Sequence, residues 1–393
     1  MRPEQVYFTG AEMGPSIILD KSAYQSLSKY DIFELSRYFY VVIPPVLILE
    51  ILADLKKPKF TPDRAKAEVR KLARKISRFD SKVNLGYRSL CVANLMGERV
   101  EMGRRPIIAP GHRITTQDGK VGMWFDVPPG IEALSRWSRG EFDEAEQLLA
   151  TRWRESSKAI DLEAFKRQVC HQDRVPLGSL ALVRRVTDDL MKEPDAQLVA
   201  INYLVQELGM VPEVGEWTQQ RWKSGGFTLV SEFAPYAGHC IKVNMIFQLA
   251  LVNDLIGTRS TNRINMEYYF YSPFACIFCS GDNLHRKLAE HVLESDQSFV
   301  WHDDLRSALR QVAEARRQAK ESGAGDFHRL EPEPNSLIRK LWAKHNWRWE
   351  ARRGHEPISE ERNRELMDEL KPLIDAINNA KEDSPPPPRW PCP

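Results

Sequence analysis

The sequence lacks the features that mark several broad classes of protein. Its six cysteines form no ladder of close, even spacings, which argues against a disulfide-rich secreted domain and favours a reducing compartment. It contains no Gly-rich phosphate-binding loop, no catalytic-serine elbow and no metalloprotease spacing of histidines. Neither sign of charge dominates, since 56 Lys and Arg stand against 54 Asp and Glu, and a disordered polyelectrolyte is therefore excluded.

Long apolar runs are also missing. The longest one, residues 41–55, is interrupted by two prolines, by Glu50 and by Asp54, so it is not expected to cross a membrane. The first ten residues have no apolar core of the kind found in signal peptides. These absences predict a cytoplasmic protein without a membrane partner.

What the chain does contain is enough apolar sequence for a large core, with 42% hydrophobic residues in 393. Its charge is unevenly placed, because ten Lys or Arg and two acidic residues lie between Lys56 and Arg78, a local net charge of +8. Arg70 and Arg74 share one face of the helix predicted there. That face is either solvated or contacts the phosphates of a polyanion, which makes both arginines candidate substrate contacts.

Strands and helices alternate at the start of the chain and again after residue 230. Short runs rich in β-branched residues are followed by segments of helical periodicity, and Pro44 and Pro45 open one of these helices. This alternation predicts an α/β fold with a central parallel sheet. The predicted strands are 16–20, 40–43, 274–282 and 298–301.

The segment between these two parts, residues 57–230, is predicted to be a mostly helical insertion. It contains one β-hairpin signal near 112–127, where Asp118 and Gly119 are flanked by apolar residues.

A helical C-terminal extension is predicted over 305–383, followed by a Pro-rich tail at 384–393. Within the extension, residues 339–353 interleave tryptophans with Lys and Arg. This pattern suits stacking on single-stranded bases, and it equally suits packing of Trp342 against the helix. The extension is also a candidate surface for a protein partner.

Acidic residues follow or flank the predicted strands in a way that suggests chemistry. Asp20 and Asp282 each end a strand, and Glu50 lies inside an otherwise apolar helix that follows another strand. The carboxyl ends of parallel strands share one edge of the sheet, so these acids can converge. Grouping carboxylates is costly unless a cation neutralises them, and oxygen ligands suit Mg²⁺ or Mn²⁺. Both aspartates also precede helices, so N-capping is the competing interpretation.

Three segments carry a resemblance to a known family: 16-SIILDKSA-23, 41-VVIPPVLILEIL-52 and 276-CIFCSGDNLHRKLA-289. In order and in content, they resemble the acidic motifs of the PIN-like nuclease domain. The resemblance implies a three-layer α/β/α sandwich around a parallel sheet, formed here by residues 14–56 and 231–304. It also implies a metal-dependent endonuclease for single-stranded or structured RNA, with RNA favoured over DNA as the substrate.

The resemblance further implies roles for individual residues. Asp20, Glu50 and Asp282 would be catalytic metal ligands for Mg²⁺ or Mn²⁺. Ser22 and Ser280 would be polar groups beside them and are candidate contacts to the phosphate or substrate. Metal-bound water would then attack the phosphodiester.

The third acid of the family pattern is the weak point of the match. The family spacing falls on Asn265, which cannot be an anionic ligand. Glu267 is the nearest acid and the preferred catalytic and metal-binding candidate, and Asp254 is the alternative. A second hypothesis is therefore a degenerate PIN-like scaffold that binds RNA or a protein without cleaving it.

Two residues that follow Asp282 complete the candidates. His285 and Arg286 begin a predicted helix beside the proposed site. They either contact the scissile phosphate or form the ordinary start of a surface helix.

Overall fold

The structure is a computed structural model that describes residues 14–76, 82–108, 111–115, 121–125, 129–169, 176–323 and 332–345. The two five-residue ranges are described by their backbone alone. The Pro-rich tail and the part of the C-terminal extension after residue 345 lie outside the described residues.

A five-stranded parallel sheet forms the centre of the fold, in the spatial order β3-β2-β1-β6-β7. This confirms the predicted α/β class and its parallel sheet. The strands are β1 (Ser16–Leu19), β2 (Tyr40–Ile43), β3 (Lys82–Val83), β6 (Ile277–Ser280) and β7 (Ser298–Trp301). Four of them lie where the sequence predicts strands. The fifth, β3, was not predicted and comes from the segment assigned to the insertion.

Strand β1 lies in the middle of the sheet and is buried on both faces. Ile17 pairs with Val41 of β2 on one side and with Ile277 of β6 on the other. All residues of β1, β2 and β6 are buried, as expected for parallel strands covered by helices on both faces. The apolar β-branched runs therefore set the position of this sheet.

The strand order changes direction between β1 and β6. The chain moves from β1 to β2 through α1 (Lys21–Ser26) and α2 (Lys29–Ser36), and from β6 to β7 through α15 (Asn283–Val292). Because parallel crossovers are right-handed, these opposite steps place their helices on opposite faces of the sheet. The result is an α/β sandwich with a topological switch point between β1 and β6.

Two long helices pack close to this sheet. Helix α13 (Pro235–Val252) is apolar along most of its length and is buried in the core. The long helix α16 begins directly after β7 and packs against α1 and α2. The remaining helices are α3 (Pro45–Leu52), α4 (Pro62–Ile76), α5 (Tyr87–Leu95), α6 (Pro129–Arg139), α7 (Glu144–Ala159), α8 (Leu162–Val169), α9 (Leu180–Leu190), α10 (Pro194–Glu207), α11 (Pro212–Ser224), α12 (Val230–Phe233), α13 (Pro235–Val252), α14 (Thr261–Tyr269), α16 (His302–Glu321) and α17 (Leu337–His345), with 3₁₀ turns at Ala53–Lys56 and Ser272–Phe274.

A separate antiparallel pair is formed by β4 (Gly111–Thr115) and β5 (Val121–Phe125), with Arg113 opposite Met123. It lies where the sequence predicts a hairpin, and the residues between its strands are outside the described ranges. This pair belongs to a different compact unit from the sheet.

Within the part of the chain that the structure describes, no helix combines the length and the apolar character needed to cross a lipid bilayer.

Candidate active site

Asp20 leaves the central strand β1 at the switch point and caps helix α1. Its backbone N–H donates to the Cys279 carbonyl at 3.1 Å, which continues the sheet, and its Oδ1 accepts the Ala23 N–H at 2.8 Å. The capping interpretation of Asp20 is therefore correct. Capping is only part of the role of Asp20, because the same carboxylate is only 4% exposed and accepts hydrogen bonds from several other groups.

Two serines from different segments hold the Asp20 carboxylate. Ser22 Oγ lies 2.7 Å from Oδ1, and Ser280 Oγ donates to Oδ2 at 2.6 Å. His285 Nδ1 is 3.3 Å from Oδ2. Burial alone would raise the pKa of Asp20, but the hydrogen bond and charge of His285, together with Ser280 and the Ala23 N–H, outweigh it and lower that pKa. The site therefore holds an ionised carboxylate in one orientation.

His285 is fully buried behind Asp20, between two hydrogen-bonding partners. Its Nε2 lies 2.7 Å from the Asn265 carbonyl oxygen, which can only accept, so Nε2 carries a proton. Its Nδ1 lies 2.7 Å from Ser280 Oγ, whose own proton is given to Asp20. Both ring nitrogens therefore donate. Burial lowers the pKa of His285, but Asp20 more than compensates and the pKa is raised, which favours the imidazolium.

Asp282 caps helix α15 at the end of the neighbouring strand β6. Its Oδ1 accepts the Leu284 N–H at 2.7 Å, and its own N–H donates to Ser280 Oγ at 2.9 Å. Asn265 Nδ2 donates to Asp282 Oδ2 at 2.9 Å. Asn265, at the position of the expected third acid, thus donates a hydrogen bond that orients the Asp282 carboxylate.

Glu50 reaches the site from helix α3. The Tyr268 hydroxyl donates to Oε2 of Glu50, and the Lys21 ammonium donates to the Glu50 backbone carbonyl at 2.7 Å. Burial raises the pKa of the Glu50 carboxyl, and the Asp20 charge adds to this, whereas Lys21, Tyr268 and His285 act in the opposite direction. Burial therefore disfavours the charged form of Glu50, and a nearby cation would favour it.

The three acids are joined to His285 by contacts of different length. Asp20 contacts the imidazole directly, and Asp282 reaches it through Ser280. Glu50 reaches it through Tyr268, whose ring packs against the imidazole at 5.5 Å. Their carboxylates come from the ends of β1 and β6 and from α3, at the switch point where open α/β sheets bind ligands.

Glu267 and Asp254 lie elsewhere. Glu267 is on a different face of α14 from Asn265 and forms an ion pair with Arg263 at 3.1 Å, while Arg263 also binds Glu207 at 3.0 Å. Asp254 pairs with Lys166 and its side chain is 70% exposed. The structure brings neither carboxylate into the network around His285.

Two of the predicted phosphate contacts are fully buried. Ser280 and His285 are 0% exposed and face Asp20, so in this arrangement they position the carboxylate. Ser22 is half-buried, and its Oγ accepts the Gly281 N–H at 2.7 Å.

The predicted arginine contacts are exposed. Arg286 lies over the Trp301 ring, 5.3 Å from its centroid. Arg70 and Arg74 are on the solvent face of α4, and Arg74 Nε donates to the Ser138 carbonyl at 2.8 Å.

A cationic cluster beside Glu50 was not predicted. Asp54 is 1% exposed, and its carboxylate lies 2.7 Å from Lys21 Nζ and 2.9 Å from Arg154 Nη2. Lys57 Nζ is 3.4 Å away. In the sequence Asp54 is visible only as an interruption of an apolar run. Such a buried acid signals a cationic partner, but Arg154, 100 residues away, could not have been identified.

The acids have the oxygen donors that Mg²⁺ or Mn²⁺ prefers. Within the described ranges, no cluster of three or more His, Cys, Asp or Glu side chains is arranged to hold a metal ion. Asp20 and Asp282 use their oxygens to accept hydrogen bonds, whereas Glu50 Oε1 accepts none from the described residues. The donors fit such an ion in kind, and Glu50 would have to ionise to bind it.

Comparison with known proteins identifies no relative. No family model, no curated protein and no solved structure matches this chain.

Proposed function

We propose that the protein is a metal-dependent nuclease that hydrolyses phosphodiester bonds, with RNA as the preferred substrate. The observation that carries this proposal is a network at the switch point of the sheet. In it Asp20 contacts the buried His285 imidazole, and Asp282 and Glu50 are joined to that imidazole through Ser280 and Tyr268. Carboxylates grouped at such an edge are typical of sites that bind a divalent cation and a phosphate. The RNA preference rests on the resemblance to PIN-like domains.

In this proposal Asp20, Glu50 and Asp282 would hold Mg²⁺ or Mn²⁺. Such an ion, when bound, would activate water and offset negative charge on the phosphate. Ser22 and Ser280 fix the orientation of Asp20.

Neighbouring residues also fix the orientation of the Asp282 and Glu50 carboxylates. Asn265 fixes Asp282, and Tyr268 directs Glu50. The His285 imidazolium balances the negative charge from behind and does not reach the substrate, because it is fully buried.

The test is cleavage of end-labelled single-stranded RNA in Mn²⁺, in Mg²⁺ and in EDTA. Asp20→Asn and Asp282→Asn are compared with the wild type, and the control is Ser36→Ala on α2, which removes a hydroxyl whose hydrogen bond to the Phe33 carbonyl is solvent-exposed. We expect metal-dependent cleavage by the wild type and the control, and none by the two Asn variants. Cleavage that survives both substitutions, or that persists in EDTA, would contradict the proposal.

A second function, a scaffold that binds without cleaving, is favoured by two observations. The Asn265 amide occupies the position of the expected acid, and burial raises the pKa of Glu50, which disfavours the charged form that a cation needs. Asn265→Asp tests this alternative. A wild-type protein that is inactive, together with an Asn265→Asp variant that gains Mn²⁺ affinity and cleavage, would identify the chain as the degenerate scaffold.

A further inference from the structure

Phe60 is surrounded by three positive charges. Its ring centroid lies 4.7 Å from Arg64 Cζ, 5.0 Å from Lys57 Nζ and 5.9 Å from Lys59 Nζ. Phe60 is half-buried, whereas Lys59 and Arg64 are exposed. We call Phe60 with Lys57, Lys59 and Arg64 the Phe60 cluster. Each cation is attracted to the face of the ring, whereas the three positive charges repel one another.

Most of the charge around the Phe60 cluster is not neutralised by the protein. Within the described ranges, neither Lys59 nor Arg64 forms an ion pair with an acid. Lys66, Arg70 and Lys71 continue the exposed positive charge along helix α4, where no described acid pairs with them either. A surface of this kind attracts a polyanion and gains free energy by releasing the counterions of that polyanion.

The Phe60 cluster is connected to the candidate active site by a short series of contacts. Lys21 follows Asp20 directly and donates to the Glu50 carbonyl at 2.7 Å. Its ammonium also contacts Asp54, and Asp54 in turn contacts Lys57 at 3.4 Å. Lys57 belongs to the Phe60 cluster, so ion pairs through Asp54 join this cluster to Lys21 beside the candidate active site.

We propose that the Phe60 cluster binds single-stranded nucleic acid. One base stacks on Phe60 in place of the Lys59 ammonium, which is the farthest of the three cations from the ring, and adjacent phosphates lie on Lys59 and Arg64. An aromatic ring among cations suits an unpaired strand, because stacking on a side chain requires a base that is free of its duplex. The inference rests on the proposed function only in identifying the bound strand as the substrate.

Binding is measured by fluorescence anisotropy with labelled oligouridine and oligothymidine in EDTA, so that no metal-dependent cleavage occurs. We expect Phe60→Leu to weaken binding about tenfold, the effect of losing roughly one stacked base. We expect Lys59→Gln with Arg64→Gln to reduce the slope of log K against log salt by about 1.4, because each phosphate contact contributes about 0.7.

Matched controls separate this surface from general effects. Phe33→Leu removes an exposed ring on α2 that carries one cation, Arg37, at 4.5 Å. Arg185→Gln with Lys192→Gln removes two exposed positive charges on and after α9. We expect both controls to bind as the wild type does, and circular dichroism verifies that each variant is folded.

The outcomes distinguish this inference from the proposed function. No binding by the wild type, or equal losses in Phe60→Leu and Phe33→Leu, would overturn the binding surface even if the protein cleaves RNA. Binding that depends on Phe60 in a protein without nuclease activity would support the surface and overturn the nuclease proposal. Equal affinity for both oligonucleotides supports recognition by stacking and phosphates, and stronger binding of oligouridine assigns the strand to RNA.

Discussion

Ser280 is the residue through which the parts of the candidate site are held together, and Ser280→Ala is the most informative stability test. Its fully buried hydroxyl donates to Asp20, accepts the Asp282 N–H and contacts His285 Nδ1. The change to alanine removes one oxygen and leaves all three partners in place. No new group is introduced, so the loss in the free energy of unfolding reports on these hydrogen bonds.

The expected loss of stability follows from the hydrogen bonds to Ser280 that its three partners would lose. A hydrogen bond to a charged group contributes about 1.5–3 kcal/mol, and a buried N–H without an acceptor costs about 1–3 kcal/mol. Local relaxation recovers part of this, so we expect Ser280→Ala to lower the free energy of unfolding by roughly 3 kcal/mol. Ser36→Ala removes an exposed hydroxyl that bonds only to the Phe33 carbonyl, and should change that free energy by less than about 0.5 kcal/mol.

The assay is urea denaturation of both variants and the wild type at pH 6, where His285 is expected to be charged. The midpoints are compared at equal slopes, so that a difference in midpoint reports stability. A Ser280→Ala variant that loses no more than Ser36→Ala would refute the hydrogen-bond network described here.

Three further predictions concern charges around the site. Glu50→Gln should raise the melting temperature at pH 7.5, because desolvation disfavours the charged Glu50 carboxylate, whereas the Gln amide is neutral and keeps the Tyr268 hydrogen bond; a lower melting temperature in differential scanning calorimetry would contradict this. The raised pKa of His285 means that its contribution to stability is complete below about pH 6.5 and is lost as the pH rises through the folded pKa. Urea titrations from pH 5 to 9 should therefore show the advantage of the wild type over His285→Gln shrinking at high pH, and a constant difference would argue against the Asp20–His285 pair. Asp54→Asn leaves Lys21 and Arg154 without their buried counter-charge and should cost roughly 3 kcal/mol in urea unfolding, with Asp63→Asn on the exposed start of α4 as the control.

The sequence predicted the structure best where a short local pattern of residues determines a strand or its end. Runs of β-branched residues located β1, β2, β6 and β7, and the acids at the ends of β1 and β6 predicted an acidic edge. Strand β3 has only two residues, Lys82 and Val83, which is too short to show a hydrophobic pattern. It joins the sheet because its backbone pairs with β2, which is a tertiary contact.

The finer structure of the site depended on contacts between distant segments. The pairing of Asn265 with Asp282, of Tyr268 with Glu50 and of Arg154 with Asp54 joins residues 17, 218 and 100 positions apart. Local spacing made Glu267 the preferred third acid, but the helical rotation of α14 directs Asn265 and Tyr268 towards the site and Glu267 towards Arg263. Helix phase, which sequence spacing alone did not provide, decides which acid faces the sheet edge.

The central claim is that Asp20, Glu50 and Asp282 act together as one cation site. Titration of the protein with Mn²⁺, followed by the electron paramagnetic resonance signal of the free ion, tests it without requiring a substrate. The account predicts saturable binding by the wild type, its loss in Asp20→Asn and Asp282→Asn, and its retention in Glu267→Gln, whose carboxylate pairs with Arg263. Mn²⁺ binding that is unchanged in both Asn variants, or absent from the folded wild type, would contradict it.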